Sequence, residues 1–509
     1  MLLFAILAGL LALALFQAYQ TRQRVLRYTR KFGCPKPHWL FGHLLTFMDD
    51  AIPKDPVGIT MHTIEIQKQY GPDTVLWRLG NDHQLIIGTA KNAEKVLMPK
   101  DTAKGNVYDF VEPWLGNGLL ISTGEKWFQR RKIITPTFHF KILESFVEVF
   151  NKETDVLVNN LRTHVGKGEF DIYDPISLYA LDSICSTSMG VHINALAEPT
   201  NQYVSDVKAM SELVLKRIFH PLNPYPKLFW LTTPNAREQR KLIARLHQFT
   251  DSVIKKRRQE MTNQPAEPET TDLTTDLYSK KRQTFLDLLL NVTVNGRPLS
   301  DSDIREEVDT FMFEGHDTTT SGISFTIYQL AKHQDIQEKV YQEILSLLGA
   351  ADCKTAPLNQ NTLQNFKYLE MVLKEAMRIM PPVAFIGRKI QADTELNGEI
   401  VPAGTDVTVS IRTIHRNPAV YPEPDRFDPE RFSEHAEPKR GPFDYIPFSV
   451  GSRNCIGQRY AIMEMKITLI RLLANYKILA GESLQDLRFK MDLVLRPVDG
   501  IPIRVQARK

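Results

Sequence analysis

The stretch Phe448-Ser449-Val450-Gly451-Ser452-Arg453-Asn454-Cys455-Ile456-Gly457 sets one cysteine between two glycines, directly before a helical pattern at residues 458–473. Gly451 and Gly457 allow tight turns, which would let peptide N–H groups approach the sulfur of Cys455. The positive end of the following helix would act in the same direction. Both effects favour a thiolate, which is the axial ligand that suits an oxygen-activating haem. A small buried hydrophobic cysteine is the commoner case and remains an alternative here.

A second unusual segment is Phe313-Glu314-Gly315-His316-Asp317-Thr318-Thr319-Thr320-Ser321, inside a long predicted helix. Its four consecutive hydroxyl residues have poor helix propensity, so a local interaction must compensate. We expect the Thr318 hydroxyl to bond to the carbonyl of Glu314, bending or opening the helix into a polar groove for dioxygen and water. Asp317 and Thr318 supply an acid and an alcohol for a proton relay. A solvated acid beside a kinked helix is the alternative.

Together these segments resemble the cytochrome P-450 superfamily. Its haem loop F-x-x-G-x-R-x-C-x-G and its oxygen-groove motif match the sequence at Phe448, Gly451, Arg453, Cys455, Gly457, Gly315, Asp317 and Thr318. The resemblance implies a haem b (iron protoporphyrin IX) whose iron is bound by Cys455, and a monooxygenase with Asp317 and Thr318 as catalytic residues. It also implies a mainly α fold with small β-sheets, in which the haem lies between a long central helix and the cysteine loop.

Glu314 departs from the general superfamily, in which a small residue is usual at this position. An ionised carboxylate against an apolar ring edge is costly, so Glu314 would be protonated, paired or consumed in a bond. The segment 313–321 resembles the fourth family of these enzymes, the fatty-acid ω-hydroxylases and their relatives. In many of them this glutamate forms an ester with a haem methyl. The resemblance therefore implies a covalent haem link through Glu314, with a hydrogen-bonding carboxyl as the alternative.

Three further motifs match the same family. Glu375 and Arg378 form its E-x-x-R pair, and Arg431 in P-E-R-F would complete a buried network that supports the cysteine loop. The residues that the resemblance implies as cofactor-binding, through the haem propionates, are Trp127, Arg131, Arg388 and Arg453.

The amino-terminal segment has the pattern of a membrane anchor. Residues 1–16 are apolar, and residues 17–19 extend them to about 19 residues, roughly 28 Å of helix, which just spans a bilayer. The positive charges follow the apolar run, whereas a cleaved signal peptide, the alternative, carries them first. We predict a transmembrane anchor at 1–19, a basic, proline-rich linker at 20–45 and a haem-thiolate catalytic domain at 46–509. This arrangement predicts an endoplasmic reticulum (microsomal) protein whose catalytic domain faces the cytosol.

The remaining patterns are mostly helical. Two strands are predicted at 75–79 and 84–87, around a turn at 80–82. A capping pattern at Ser300 opens the long helix that runs toward Lys332, and another helix is predicted at about 363–380. Asn397-Gly398 and Asp499-Gly500 each predict a hairpin. Residues 262–281 are polar and proline-containing, which predicts an exposed loop or a disordered insert.

Composition and missing motifs limit the partners. A net charge of +4 is too small to indicate nucleic acid, and the four cysteines contain no C-x-x-C pair that would indicate zinc. No dinucleotide fingerprint follows a predicted strand, so electrons must come from a separate donor. The resemblance implies an NADPH-cytochrome reductase, with cytochrome b5 as a second donor. The basic residues suggested for its docking face are Lys126, Arg130, Lys132, Lys439 and Arg440.

Three functions remain open from the sequence. A monooxygenase acting with O2 on a lipophilic substrate uses every motif above, and fatty acids, related lipids, hormones and foreign compounds are its candidate substrates. An oxygen-independent haem-thiolate isomerase or dehydratase would have no use for Asp317 and Thr318. A non-catalytic haem-binding membrane protein would keep the fold without turnover. The apolar segment 213–231 is either core or an entrance that dips into lipid.

Overall fold

A long helix with a well-defined start organises the fold. The computed structural model of the chain describes residues 2–38, 42–43, 56–77, 83–100, 102–198, 201–218, 220, 222, 226–263, 284–294 and 296–508. Its α-helices are α1 (Leu2–Tyr28), α2 (Pro56–Tyr70), α3 (Ala90–Leu97), α4 (Glu112–Leu115), α5 (Gly124–Ile134), α6 (Phe140–Leu161), α7 (Tyr173–Ile184), α8 (Gln202–Ile218), α9 (Pro226–Thr232), α10 (Pro234–Thr262), α11 (Phe285–Asn291), α12 (Asp301–Lys332), α13 (Gln334–Leu348), α14 (Gln360–Asn365), α15 (Lys367–Ile379), α16 (Ile411–Ile414) and α17 (Gln458–Asn475).

The strands are short and lie in five small sheets of the described chain. They are β1 (Thr74–Trp77), β2 (His83–Ile87), β3 (Ala103–Lys104), β4 (Phe170–Asp171), β5 (Thr293–Val294), β6 (Arg297–Pro298), β7 (Phe385–Lys389), β8 (Thr394–Leu396), β9 (Glu399–Val401), β10 (Asp406–Ser410), β11 (Tyr476–Ala480), β12 (Phe489–Met491), β13 (Leu495–Pro497) and β14 (Pro502–Ala507). The predicted mainly α fold with small β-sheets is thus confirmed.

The central helix α12 begins where the sequence predicted. The Ser300 hydroxyl accepts a hydrogen bond from the Asp303 N–H, and the Asp303 carboxylate accepts one from the Ser300 N–H, which completes a capping box. From Val308 to Ala331 the helix is buried on nearly every side. A helix that is buried all round runs through the core rather than along its surface. Helices α7, α10, α15 and α17 pack around it.

The largest sheet joins distant parts of the chain. Its strand order is β1-β2-β10-β7-β3. The two predicted early strands pair antiparallel with each other, and β2 also pairs in parallel with β10, which comes from the last quarter of the chain. The turn predicted between them, at 80–82, lies outside the described residues. Strand β3 pairs antiparallel with β7, which aligns Lys104 with Arg388.

One predicted hairpin is confirmed and one is wrong. Strands β8 and β9 pair around Asn397-Gly398, and both turn residues have positive φ. Asp499-Gly500 also turns, with Gly500 at φ 77°, but the strands on either side do not pair with each other. Strand β13 pairs with β12, whereas β14 pairs with β11 and β4. The turn therefore carries the chain from one sheet to another, a difference that no local turn signal encodes.

The amino-terminal helix α1 continues past residue 19 to Tyr28. Its last turns pack on the largest sheet, where Val25 and Tyr28 are buried in a cluster with Leu85 and Val407. Within the described residues, none of the helices has the length and apolar character needed to traverse a bilayer. The anchor at 1–19 and the boundaries of the predicted domains remain predictions. The polar insert predicted at 262–281 lies almost entirely outside the described residues.

Candidate active site

The cysteine loop closes on itself immediately before α17. The Cys455 N–H donates to the carbonyl of Phe448 at 2.9 Å, and α17 begins three residues after Cys455. Gly451 has φ 79°, and a Cβ there would lie 2.4 Å from the carbonyl oxygen of Leu97, so this glycine is required. Gly457 lies in a turn, as predicted, but its φ of −87° is open to any residue, so this turn does not require glycine. Its missing side chain instead keeps space beside the sulfur, 3.9 Å from where a Cβ would be.

Cys455 is accessible, but only from an internal cavity of about 410 Å³. Because protein surrounds the sulfur beyond that cavity, burial raises the pKa of Cys455 to about 12, and the nearby Glu314 carboxylate acts in the same direction. The Gly457 N–H lowers this pKa, as the sequence predicted for peptide N–H groups, and the Arg131 guanidinium also lowers it, but burial outweighs both. A thiolate at this position therefore needs a positively charged partner such as a metal ion.

The cavity has mostly apolar walls. They come from the segment before α5, from α12, from β7 and from the turn between β12 and β13. Its apolar side chains include Leu115, Leu119, Leu120, Phe138, Ile184, Phe311, Phe313, Val383, Phe385 and Val494. A large apolar cavity with a few converging polar groups is typical of a site for a lipophilic small molecule.

Glu314 and Thr318 lie on the wall of this cavity, one helical turn apart on α12. The Thr318 hydroxyl donates to the Glu314 carbonyl at 2.6 Å, which confirms the predicted bond. Thr319 and Thr320 repeat this pattern, bonding to the carbonyls of Gly315 and His316. Each of the three threonine hydroxyls therefore has a backbone carbonyl as its acceptor. The backbone stays helical throughout, so the predicted opening of the helix does not occur.

Asp317 lies outside the cavity, contrary to the expectation that it shares a groove with Thr318. Its carboxylate accepts a hydrogen bond from the Arg496 guanidinium at 2.6 Å, and both side chains are almost fully buried. Successive side chains on an α-helix point about 100° apart, which allows Asp317 to face Arg496 on β13 while Thr318 faces the cavity. The acid and the alcohol are adjacent in sequence but face different surroundings.

The predicted propionate-binding residues lie close to one another around the cavity. Trp127, Arg131 and Arg453 line the cavity, and the Arg453 guanidinium stacks 4.0 Å from the Trp127 ring centre. Arg131 bonds to the Asn454 carbonyl and side chain at 3.0 and 2.7 Å. Arg388 is buried on β7 just behind Gly387, whose carbonyl accepts its Nη1 at 2.9 Å.

A fourth cation, Lys104, also lines the cavity, and sequence analysis missed it. Burial and the neighbouring Arg388 hold the pKa of Lys104 well below its usual value. Burial and the same neighbour lower the pKa of Arg453 to about 9. Two nitrogens of Arg453 and Nε of Arg388 are buried without a hydrogen-bond partner among the described residues. Unpaired buried guanidinium groups are costly, so this part of the cavity fits an anionic ligand with several acceptor oxygens, as two propionates would provide.

The E-x-x-R pair forms the predicted buried network. Arg378 donates to both carboxylate oxygens of Glu375, at 2.6 and 2.8 Å, and neither side chain has exposed surface. Arg431 approaches the same carboxylate at 3.4 Å. Arg378 also donates to the backbone carbonyls of His415, Pro424 and Arg426, in the segment that precedes the cysteine loop.

The suggested docking residues divide into two groups. Arg130 is buried and pairs with Asp303, whereas Lys126 pairs with Glu306 and keeps 35% of its side chain exposed. Lys132 and Lys439 are exposed, and Arg440 is half-buried against Phe432. The prediction that Arg130 belongs to the docking face is therefore wrong, because this residue is buried.

Comparison with known proteins agrees with this site. The sequence profile of the family described as Cytochrome P450 matches residues 32–503. Cytochrome P450 4d2 of Drosophila melanogaster is 41% identical over 479 residues, which cover 93% of each chain. Cytochrome P450 4d1 of Drosophila simulans is 40% identical and covers 99% of this chain and 98% of its own length. Cytochrome P450 4V2 of Homo sapiens is 38% identical over 492 residues, covering 96% of this chain and 93% of the human one.

All three names belong to the fourth P450 family, as the resemblance of residues 313–321 predicted. The family match also decides among the functions that the sequence left open, because P450 homologues of this kind are monooxygenases that bind haem b. Such enzymes need O2, a lipophilic substrate and a redox partner. The chain therefore belongs to the cytochrome P450 family and is a haem-b monooxygenase.

Proposed function

We propose that this monooxygenase hydroxylates a fatty acid or a related lipid, using Cys455 as the axial ligand of its haem iron. The observation that carries this proposal is the position of the Cys455 sulfur in the wall of a mostly apolar cavity, whose polar groups include Glu314, Thr318 and a cluster of cations. Bound there, the haem supplies O2 activation and insertion of one oxygen atom into a C–H bond, which a thiolate ligand favours by donating electron density.

The cations bind the two propionates in this proposal. Arg131, Arg453 and Lys104 line the cavity, Arg388 lies just behind its wall, and Trp127 packs against Arg453. Each propionate carboxylate would accept hydrogen bonds from guanidinium nitrogens that otherwise have no partner. Charge-assisted bonds of this kind are about twice as strong as neutral ones. Burial and, after it, repulsion from neighbouring cations lower the pKa of Lys104 and Arg453, and a bound carboxylate would relieve that repulsion.

We propose that Glu314 is joined to the haem as an ester: a C–O bond to the Glu314 carboxylate would replace one C–H bond of a haem methyl, and the O2-dependent oxidation that the enzyme carries out would take up the two electrons and the proton released. Burial raises the pKa of Glu314, and the Lys104 ammonium opposes that shift. A cavity carboxyl of this kind can be neutral, paired with Lys104 or consumed in an ester, and the ester removes the buried charge permanently. A hydrogen-bonding carboxyl without the covalent bond remains the second possibility.

Thr318 and Asp317 serve proton delivery in different ways. The Thr318 hydroxyl lies on the cavity wall and orients water there. We infer that Asp317 supplies protons from behind the wall, since the Arg496 guanidinium holds its carboxylate outside the cavity. Delivery then requires Asp317 to leave Arg496 transiently, which makes that ion pair the regulator of the step.

Substrate, electron donor and location rest on chemistry and resemblance. The apolar walls suit an alkyl chain, and ω-hydroxylation follows from the resemblance of residues 313–321. An NADPH-cytochrome reductase, with cytochrome b5 as a second donor, would dock near Lys132, Lys439 and Arg440, which stay at or near the surface. An anchor at residues 1–19 would hold the enzyme at the endoplasmic reticulum membrane. The exposure of Leu231, at 78%, supports the proposal that segment 213–231 contributes to a substrate entrance near the lipid.

Reconstitution tests the proposal. Full-length protein, reductase and NADPH are incubated with a panel of lipids, and the products are identified by mass spectrometry. Terminal hydroxylation of a fatty acid is expected, and oxidation restricted to non-lipid compounds would refute the substrate class. Cys455→Ser should abolish the ferrous carbonyl spectrum and turnover, while Cys34→Ser, a cysteine far from the cavity wall, should leave both intact. An unchanged spectrum in Cys455→Ser would refute the ligand.

A further inference from the structure

The segment 115–120, here called the wall segment, forms one side of the substrate cavity through Leu115, Leu119 and Leu120. Two of its six residues are glycine, so the backbone has little intrinsic order. Gly116 has φ 63°, and a Cβ on Gly118 would lie 2.9 Å from the Glu306 carbonyl oxygen. At Gly118 the backbone of the wall segment therefore lies directly against the backbone of α12.

Two consecutive carboxylates on α12 bridge the same two elements. Glu306 accepts the Asn117 N–H of the wall segment on Oε2 at 3.0 Å, and its Oε1 accepts the ammonium of Lys126 on α5. Glu307 accepts the Leu119 N–H on Oε2 at 2.9 Å, and its Oε1 lies 3.3 Å from Arg130 Nε on α5. Each carboxylate thus uses one oxygen for the wall segment and the other for a cation of α5.

The hydrogen bond from Leu119 to Glu307 is buried, whereas the one from Asn117 to Glu306 lies at the surface. The Glu307 side chain has no exposed surface, and those of Glu306 and Arg130 are 12% and 7% exposed. Exposed ion pairs contribute little, whereas hydrogen bonds to a buried carboxylate hold their partners firmly. The same helix α5 carries Trp127 and Arg131 to the cavity from its other side.

We propose that Glu306 and Glu307 form a latch, which holds the wall segment closed over the cavity and thereby sets how fast ligands leave it. The two glutamates are positioning residues, because neither lines the cavity nor reaches the ligand. The proposal rests on the proposed function only in that the cavity is the substrate site. It assigns control of ligand retention to residues outside the cavity.

The test measures the wall segment and a cavity ligand separately. Hydrogen–deuterium exchange on the full-length haem protein follows peptides covering residues 115–122. Stopped-flow spectroscopy follows the dissociation of 4-phenylimidazole, a probe for the cavity. Glu306→Ala and Glu307→Ala should each accelerate exchange of the wall segment at least tenfold and dissociation of the probe at least fivefold. Asp301→Asn is the matched control, because this carboxylate on the same helix pairs, among the described residues, with the exposed Arg258 and should change neither rate.

Conservative variants keep the test decisive if an alanine variant fails to fold. Glu306→Gln and Glu307→Gln retain an acceptor for the wall-segment N–H but lose the charge that faces α5, so smaller increases in both rates are expected. The proposal is overturned if the Glu306 and Glu307 variants bind a full complement of haem and yet exchange the wall segment and release the probe at rates within twofold of wild type. A wild-type chain that bound no haem would refute the proposed function instead, and exchange of the wall segment would still decide the latch.

Discussion

Replacing Arg378 by alanine should leave a protein that cannot hold its haem. Arg378 and Glu375 are both fully buried and share two hydrogen bonds. Removing the guanidinium leaves the Glu375 carboxylate buried without its main partner, which costs about 3–5 kcal/mol. The carbonyls of His415, Pro424 and Arg426 lose their bonds to Arg378, at about 1 kcal/mol each. The sum, about 6–8 kcal/mol, is comparable to the whole stability of a typical domain, about 5–15 kcal/mol.

The assay is the haem-to-protein ratio of purified Arg378→Ala, together with its unfolding temperature. Lys374→Ala is the matched control, because Lys374 lies one turn earlier on α15 in a half-exposed pair with Glu370. We expect the control to retain wild-type haem. Arg378→Lys should rescue only partly, since one ammonium cannot make two parallel bonds to a carboxylate. Normal haem content in Arg378→Ala would refute the argument that this network supports the cysteine loop.

Three further predictions follow from other parts of the site. Acid denaturation of wild-type protein should leave haem attached to the polypeptide, and Glu314→Ala should release all of it, as read by mass spectrometry; complete release from wild type would exclude the ester. Asp317→Asn should lower product formation by about 100-fold or more, the range of general acid catalysis, with NADPH oxidation reduced less; equal losses of both would exclude a role in proton delivery. Burial raises the pKa of the Glu307 carboxyl from 4.5 to about 7. The folded state therefore binds the carboxyl proton more tightly than the unfolded state does. The free energy of unfolding should fall by about 3 kcal/mol as the pH rises from the unfolded-state pKa to the folded-state pKa. Glu307→Gln should remove this fall. The prediction is contradicted if the free energy of unfolding depends on pH in the same way in both proteins from pH 5 to pH 8.

Much of the site could be predicted because its motifs are contiguous. The cysteine loop is ten neighbouring residues that end at the start of a helix, and the capping box at Ser300 needs only residues up to Asp303. Backbone and side-chain bonds over three or four positions are local, so they follow from residue type and spacing. The bond from Thr318 to the Glu314 carbonyl belongs to the same class.

Other features depend on which distant segments meet. Lys104 reaches the cation cluster because β3 pairs with β7 across nearly three hundred residues of chain. Asp317 faces Arg496 because the strand β13 packs behind α12. Arg130, which resembles a surface cation in the sequence, is buried against Asp303 and Glu307.

The sequence by itself thus determined the family, the axial cysteine candidate and the boundaries of the central helix, since these are encoded over a few residues. Only the tertiary structure decided which charges are paired, which face the cavity and which hold its wall. The physical reason is that electrostatic roles depend on burial and on partners within a few ångströms, and both arise when remote elements pack together.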